Sequence, residues 1–368
     1  MRVHVVDPPA YTPPYDHALC AALARAGATV QLVTSRFAHG EVPPAEGFER
    51  VEAFYPLQFR AARARRAARL VLHVPGMVRY ARLARGADVV HFQWLPVQAL
   101  DAWLLPHRHP RVVTAHDVLP REPRPGQLRG QRRLYERMDA VVVHSEHGAA
   151  RLRDELGLDT ALVHVIPHGA FHHLAAPLAD AALPPELPSA DVPVVLCFGL
   201  MRPYKGIDVL LEAWRDVSDA ELWVVGMPRM DLAPLRAAAP ASVRWLPRFV
   251  GGAELAAVFR RADLVVLPYR EIDQSGVLFT ALAFGAPLLL TAVGGFPEIA
   301  ATGAAELVAP GDPAALAGAL RELLADPRRR ERMAAAARAA AAPAGPLGWD
   351  AIARRTLALY AELGARET

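Results

Sequence analysis

Short apolar runs rich in valine recur along this chain, and most of them do not alternate with polar residues. A strand wet on one face alternates with a period of two, whereas a strand covered on both faces reads as a continuous apolar run. In the first half such runs fall at 3–6, 29–33, 89–91, 112–115, 140–143 and 163–166. In the second half they fall at 194–198, 221–225, 243–246, 264–267, 287–291 and 306–308. Helical stretches separate them, among them 16–26, 60–84 with a break near Pro75, and 146–156. Further helices are expected at 207–217, 231–239, 252–260, 276–284 and 313–324. An alanine- and arginine-rich run follows at 328–342, and a last helix at 348–363 carries Trp349, Ile352, Leu357 and Tyr360 at helical spacing. Two successive series of this kind predict an α/β chain of two doubly wound domains with a cleft between them. Ligands in such sheets sit at the carboxyl ends of the strands.

The segment 172–191 holds Pro177, Pro184, Pro185 and Pro188 and reads as a linker between domains at 1–171 and 192–347. A chain of 368 residues suits two domains that each bury a core, and 53% hydrophobic residues exclude a disordered chain. The two cysteines, Cys20 and Cys197, make no disulfide framework and fit a reducing cytoplasm. The opening Met1-Arg-Val-His-Val-Val6 reads as a strand rather than a secretory leader, and no long uncharged apolar run predicts a membrane span.

Net charge is only +3, but the arginines are unevenly placed. Arg60, Arg63, Arg65, Arg66, Arg69, Arg79, Arg82 and Arg85 form one cluster, and Arg121, Arg124, Arg129, Arg132 and Arg133 a second. Solvated helix faces account for such clusters, and so does contact with an anionic acceptor or with anionic lipid at a membrane surface. Nucleic acid is not expected, because no recognition motif or aromatic interleaving accompanies them.

Against this background Lys205 is the single lysine among 41 basic residues. It lies in Phe198-Gly-Leu-Met-Arg202-Pro-Tyr-Lys205-Gly206, a strand end followed by a turn and a helix start. Cations at a helix start are disfavoured by the helix dipole unless an anion sits there too. Arg202 and Lys205 are therefore candidates to clamp a diphosphate and neutralise it as a leaving group. A second segment, Pro268-Tyr-Arg-Glu271-Ile-Asp273-Gln274-Ser275-Gly276-Val277, also joins a strand to a helix. Backbone amides at that start can bind an anion, Gly276 permits close approach, and Glu271 and Asp273 can accept from sugar hydroxyls. Ser275 or Asp273 is expected to cap the helix. Glu271 and Asp273 lack a third ligand, so no metal is expected. His116 ends the strand 112–115 and can bond a substrate or shuttle a proton. His91 and His144 occupy strand ends in the same way. The segment 165–169 reads as a hinge where the domains meet, and in 291–298 two glycines shape a loop whose Glu298 is placed to cap the next element. Arg248 and Phe249 follow a strand at a place suited to a base pocket.

Together these segments resemble the retaining family-4 glycosyltransferases, whose GT-B fold has two Rossmann-like domains. The likeness covers nearly the whole chain and is strongest over 165–169, 198–206 and 262–298. It implies a donor site of Gly199, Arg202, Lys205, Arg248, Phe249, Asp273, Gln274, Ser275, Gly276, Val277 and Thr280. It implies that Arg202 and Lys205 bind the donor diphosphate and that His116 contacts the transferred sugar. It also implies that 348–368 crosses back to the first domain. Two departures stand out. The family's paired glutamates eight residues apart are here Ile272, flanked by Glu271 and Asp273, and Thr280, in a variant with Gln-Ser-Gly. Thr280 thus stands where a glutamate would hold the ribose. The usual Gly-rich first loop is replaced by Tyr11-Thr-Pro-Pro-Tyr15-Asp16-His17, and Tyr15, Asp16 and His17 are expected to face the acceptor.

The resulting expectation is a metal-independent retaining hexosyltransferase in the cytoplasm or at the inner face of the membrane. It needs no cofactor beyond a nucleoside-diphosphate sugar, in UDP or GDP form, as co-substrate, and it takes a hydroxyl acceptor. Glu271 is the nearest candidate for a nucleophile. A nucleotide-sugar 2-epimerase of the same architecture is the first alternative, and a silent nucleotide-binding module another. A dinucleotide-dependent oxidoreductase is not supported, because no Gly-x-Gly-x-x-Gly follows the first strand.

Overall fold

Both series of valine-rich runs form parallel sheets. In a computed structural model, residues 1–37, 42, 44–56, 62–107, 110–120, 123–175, 181–187 and 191–366 are described, without the side chains of 62–70. The chain divides into two compact units, Met1–His168 with Trp349–Thr368, and Gly169–Gly348.

The first unit carries β1 (Arg2–Asp7), β2 (Thr29–Ser35), β3 (Glu49–Phe54), β4 (Val89–Phe92), β5 (Arg111–Thr114), β6 (Ala140–Val143) and β7 (Val163–Val165). Their order is β3-β2-β1-β4-β5-β6-β7, all parallel. The second unit carries β8 (Val194–Phe198), β9 (Glu221–Val225), β10 (Val243–Leu246), β11 (Leu264–Leu267), β12 (Leu288–Thr291) and β13 (Ala305–Val308). Here the order is β10-β9-β8-β11-β12-β13, again parallel. In each sheet the chain first winds one way from the founding strand and then the other. The order reverses between β1 and β4, and between β8 and β11. At such a reversal the loops leaving the two strands diverge and open a crevice, which is where doubly wound sheets bind ligands.

The strands at these reversals are apolar because both faces are covered. Val3, Val5, Val6, Val90 and Phe92 are fully or nearly fully buried, as are Val194–Leu196 and Leu264–Leu267. The largest buried side chains of the second unit, Trp214 and Trp223, still satisfy their indole N–H groups, on Ser242 Oγ at 3.0 Å and Glu221 Oε2 at 2.9 Å.

The structure differs from the sequence reading in three places. β3 was not expected, because Glu49-Arg-Val-Glu-Ala-Phe54 is a half-exposed edge strand that alternates charge with apolar residues. Pro75 does not break its helix, which runs unbroken through Ala62–Leu83. Proline frees the carbonyl one turn earlier, here that of Val71, and both residues lie on the exposed side, where water can take it up. The start of the expected linker is instead a helical turn, His172–Ala175, packed on Gly252–Arg261 and Gly276–Ala283 of the second unit; residues 176–180 and 188–190 lie outside the described residues.

The last helix, Trp349–Arg366, packs on the first, Pro13–Arg25. Arg25 pairs with Asp350 at 2.8 Å, and the buried Tyr360 hydroxyl lies 2.6 Å from His91 Nδ1. Replacing Tyr360 by Phe leaves that ring nitrogen buried without its partner. The expected loss of stability is about 1–3 kcal/mol in chemical denaturation followed on the first unit. A change below about 0.5 kcal/mol would mean that the bond does not hold the helix.

Candidate active site

In the second unit the two loops that leave the reversal are stitched together. Pro203 presets a 3-10 turn over Pro203–Lys205, which Gly206 closes in a left-handed conformation (φ +66°). No other residue fits there, since a Cβ on Gly206 would lie 2.0 Å from the Pro268 carbonyl oxygen. From the other loop, Arg270 donates its backbone N–H to the Tyr204 carbonyl at 2.8 Å. Its guanidinium reaches the Pro203 carbonyl at 2.8 Å and Asp208 at 2.6 Å. Gly294 (φ +55°) braces the same loop from the far side, where a Cβ would meet the Ile272 carbonyl oxygen at 1.8 Å.

Inside this frame Lys205 is only 7% exposed. Its ammonium donates to the Tyr269 hydroxyl and lies 3.8 Å from the centroid of that ring. Tyr269 is fully buried, its carbonyl accepts from Thr291 Oγ1 at 2.6 Å, and its hydroxyl lies 3.3 Å from Ser275 Oγ. A cation over an aromatic face away from water gains about 2 kcal/mol, which offsets part of the cost of burying it. One fixed positive charge therefore stands at the end of β8. Burial pushes the thiol of neighbouring Cys197 up to about 12, with Lys205 opposing, so that sulfur stays uncharged.

Ser275 occupies the N-cap position of the helix Gly276–Ala283, but its side chain makes no capping bond. This corrects the expected cap by Ser275: the hydroxyl is turned to Tyr269. Gly276 is exposed, and a Cβ there would meet only Phe171, at 3.8 Å. An uncapped helix start with open space above it suits an anion. Val277 packs on Gly199, where an added Cβ would lie 2.9 Å from Val277 Cγ2 and 4.0 Å from Lys205 Nζ. Gly199, Lys205, Tyr269, Ser275, Gly276 and Val277 are thus drawn together.

Other expected residues lie differently. Arg202 and Glu271 are exposed, and Asp273 and Gln274 are half-buried. Thr280 spends its hydroxyl proton on the Gly276 carbonyl, 3.0 Å away in its own helix. Arg248 is engaged by Glu254 at 2.6 Å and Glu186 at 3.2 Å, so its guanidinium faces carboxylates rather than a base pocket. Phe249 beside it is exposed. Gly295 holds the N-cap position of Phe296–Ala300, and Glu298 lies in the first turn of that helix.

In the first unit the carboxyl ends of β4 to β7 gather His116, His144 and His168 around Tyr15, with Trp349 from the last helix. Trp94 stacks on His116, with centroids 5.2 Å apart and planes 14° apart. The hydrogen bonds define the tautomers. The Ile166 carbonyl, 3.0 Å from His144 Nδ1, can only accept, so His144 Nδ1 carries a proton. The Gln93 side-chain oxygen, 3.0 Å from His116 Nε2, likewise only accepts, so His116 Nε2 carries a proton, and His116 Nδ1 lies 3.3 Å from His144 Nε2. His116 and His144 are neutral: burial holds His144 down at about 4, and burial plus the neighbouring imidazoles holds His116 well below the ordinary range. Both ring nitrogens of His116 are therefore occupied, and a sugar would have to displace Gln93 to reach one. Among the described residues, no group of three or more His, Cys, Asp or Glu is placed to hold a metal ion.

The structure also corrects the acceptor residues. Tyr15, Asp16 and His17 lie inside the helix Pro13–Arg25 and are buried. Tyr15 is enclosed by the histidines, Asp16 turns to Asp7, and His17 packs edge-on against Phe48. The exposed residue of that loop is Tyr11, whose ring is tilted 58° against that of Trp94 with centroids 4.5 Å apart. Sequence reasoning passed over Tyr269, Arg270, Gln93 and Trp94. Each lies within three residues of the end of a strand at a reversal of order, and that position was the available signal.

Comparison with known proteins bears on both units. Residues 15–170 match the family described as Glycosyltransferase Family 4, and residues 192–326 match Glycosyl transferases group 1. A D-inositol 3-phosphate glycosyltransferase of Xylanimonas cellulosilytica is 31% identical, covering 76% of this chain and 73% of its own length. A GDP-mannose:glycolipid 4-beta-D-mannosyltransferase of Xanthomonas campestris is 30% identical over 55% of this chain and 60% of its own. Among solved structures, sucrose-phosphate synthase of Thermosynechococcus elongatus superposes with a TM-score of 0.77 at 23% identity, covering all of both chains, and shares the GT-B fold. With two parallel-sheet units and an anion-suited loop pair at the second reversal, the chain belongs to the family-4, group 1 glycosyltransferases.

Proposed function

We propose that this glycosyltransferase moves a hexosyl group from a nucleoside-diphosphate sugar, in UDP or GDP form, to a hydroxyl acceptor, with retention and without a metal. The observation that carries the reading is the buried Lys205 ammonium fixed over Tyr269 beside the uncapped start of Gly276–Ala283. In sugar transfer, negative charge develops on the departing diphosphate, and preorganised positive charge and amides lower that barrier. Lys205, the exposed Arg202 and the amides at Ser275 and Gly276 supply it, which leaves no need for a divalent cation. The acceptor oxygen attacks the face that the diphosphate leaves, and a phosphate oxygen takes its proton. Glu271, exposed on the same loop, and Asp273 serve the sugar hydroxyls rather than a covalent intermediate. His116, neutral and held by His144 and Gln93, contacts the transferred sugar by exchanging its Gln93 bond.

The similar mannosyltransferase acts on a glycolipid by its name, and a lipid-borne acceptor gives a use to the arginines of the first unit. No acidic residue occurs between Glu52 and Asp88. The helix Ala62–Leu83 exposes Val71, Val74 and Val78 beside Arg79 and Arg82. Its neighbour Gln98–Leu104 exposes Leu100 and Trp103, and Arg137 lies 3.8 Å over the Trp103 ring. The next helix, Gln127–Tyr135, adds exposed Arg129 and Arg133. Apolar side chains set among arginines fit an anionic lipid surface. No described helix is long and apolar enough to cross a membrane, so the contact proposed is peripheral. Arg60 and Arg121 lie outside the described residues.

Three outcomes are expected. Lys205→Met, which keeps the packing against Tyr269, should melt near the wild type yet lose about 10²–10³-fold in turnover; near-normal transfer by that variant would remove the clamp. Protein incubated with donor alone should leave the sugar's configuration at C2 unchanged; an accumulating epimer would favour the epimerase. In co-sedimentation, phosphatidylglycerol vesicles should bind the protein and phosphatidylcholine vesicles should not, with binding falling as salt rises and weakened by Trp103→Ser. Equal retention on both vesicle types, or on neither, would remove the lipid surface.

A further inference from the structure

Asp7, at the end of β1, and Asp16, in the first helix, are buried within hydrogen-bonding reach of each other. Among the described residues, no arginine, lysine or histidine pairs with either. Asp7 Oδ2 accepts two backbone amides, Tyr11 N at 2.6 Å and Thr12 N at 3.2 Å. Asp7 Oδ1 is buried and receives no hydrogen bond from any N–H or hydroxyl group. Among the described residues, Asp16 Oδ1 accepts a bond from the Thr12 hydroxyl alone, at a long 3.4 Å. Two ionised carboxylates this close and this dry repel strongly, so such a pair retains one proton. The two amides favour the charged form on Asp7. The proton therefore belongs to Asp16, and its O–H points at the otherwise unmet Asp7 Oδ1.

We propose that Asp16 is a protonated positioning residue, and that its bond to Asp7 holds the 8–12 loop and through it the Trp94–His116 stack. Thr12 is the link: its hydroxyl donates to Asp16 and accepts the Trp94 indole N–H at 2.9 Å, and the neighbouring Tyr11 ring lies against Trp94. The groups facing Asp16 offer no counter-charge. On its own helix these are Tyr15 and Cys20, both pushed up by burial and by Asp16 itself. On the last helix, Tyr360 is likewise pushed up by burial, and Asp350 is taken by Arg25. β2 brings only the Thr34 hydroxyl, which bonds the Asp7 carbonyl at 2.7 Å, and Ser35. Burial and the Asp7 charge raise Asp16 well above the ordinary carboxyl range. In the window between that ordinary range and its raised value the folded state binds the extra proton. The stability it confers is thus complete at acid pH and is lost as pH rises through the raised value.

The test needs no sugar transfer, so its failure is separable from failure of the proposed activity. Asparagine reproduces the protonated carboxyl, with an amide to donate to Asp7 and an oxygen to accept from Thr12. Asp16→Asn should therefore keep the wild-type melting temperature at neutral pH, and Asp16→Ala should lower it clearly. The carbonyl stretch of a protonated carboxyl should be visible by infrared difference spectroscopy at neutral pH and absent in Asp16→Asn. On raising the pH, Trp94 emission, isolated by subtracting the Trp94→Phe signal, should move to the red in wild type but not in Asp16→Asn. A missing carbonyl band, an asparagine variant as unstable as the alanine one, or a Trp94 shift unchanged by Asp16→Asn would each overturn the proposal.

Discussion

A single buried ammonium organises the second unit. Lys205 can be kept away from water because Tyr269 offers a ring face and a phenol oxygen. Tyr269 can offer them because Thr291 holds its backbone and Ser275 meets its hydroxyl. That second contact draws Ser275 away from capping, and the helix start it abandons becomes available to an anion. The loop geometry follows from the same point. The turn that delivers Lys205 passes so close to Pro268 that only glycine fits at 206, and Arg270 ties the two loops together.

The first unit uses its own reversal of strand order differently. Where the second unit buries a charge, the first buries a proton-sharing carboxyl pair and a set of neutral imidazoles. Asp7 ends β1 and the Gln93-Trp94 pair follows β4, the two strands that flank the reversal. The Ile166 carbonyl sets the tautomer of His144 and the Gln93 side-chain oxygen that of His116, while the 8–12 loop positions Trp94 over the His116 ring. A neutral imidazole against an indole plate suits sugar hydroxyls, as an ammonium at a helix start suits phosphate.

Much of this architecture was legible in the sequence, because parallel strands buried on both faces write themselves as unbroken valine runs. The position of Lys205 was legible too, since a lone lysine in an arginine-rich chain sits between a strand end and a glycine. Most of the misreadings come from side-chain partners that a linear pattern does not reveal. Arg248 looked free until Glu186, 62 residues away, came to meet it. Ser275 looked like a cap until Tyr269 competed for its hydroxyl. Asp16 and His17 looked solvent-facing in a polar stretch, but their helix is covered by Trp349–Arg366 from the far end of the chain. β3 was hidden because an edge strand keeps charges on its wet face.

That Lys205 is the chain's one lysine makes the central claim directly measurable. Labelling with 15N-lysine gives a protein with a single side-chain ammonium resonance, and burial against Tyr269 should slow its proton exchange enough to observe it. If Lys205 holds the donor diphosphate, adding a nucleoside diphosphate should shift that resonance in a saturable way, and the matching nucleoside should leave it in place. A resonance unmoved by saturating nucleoside diphosphate, or moved equally by the nucleoside, would contradict the account.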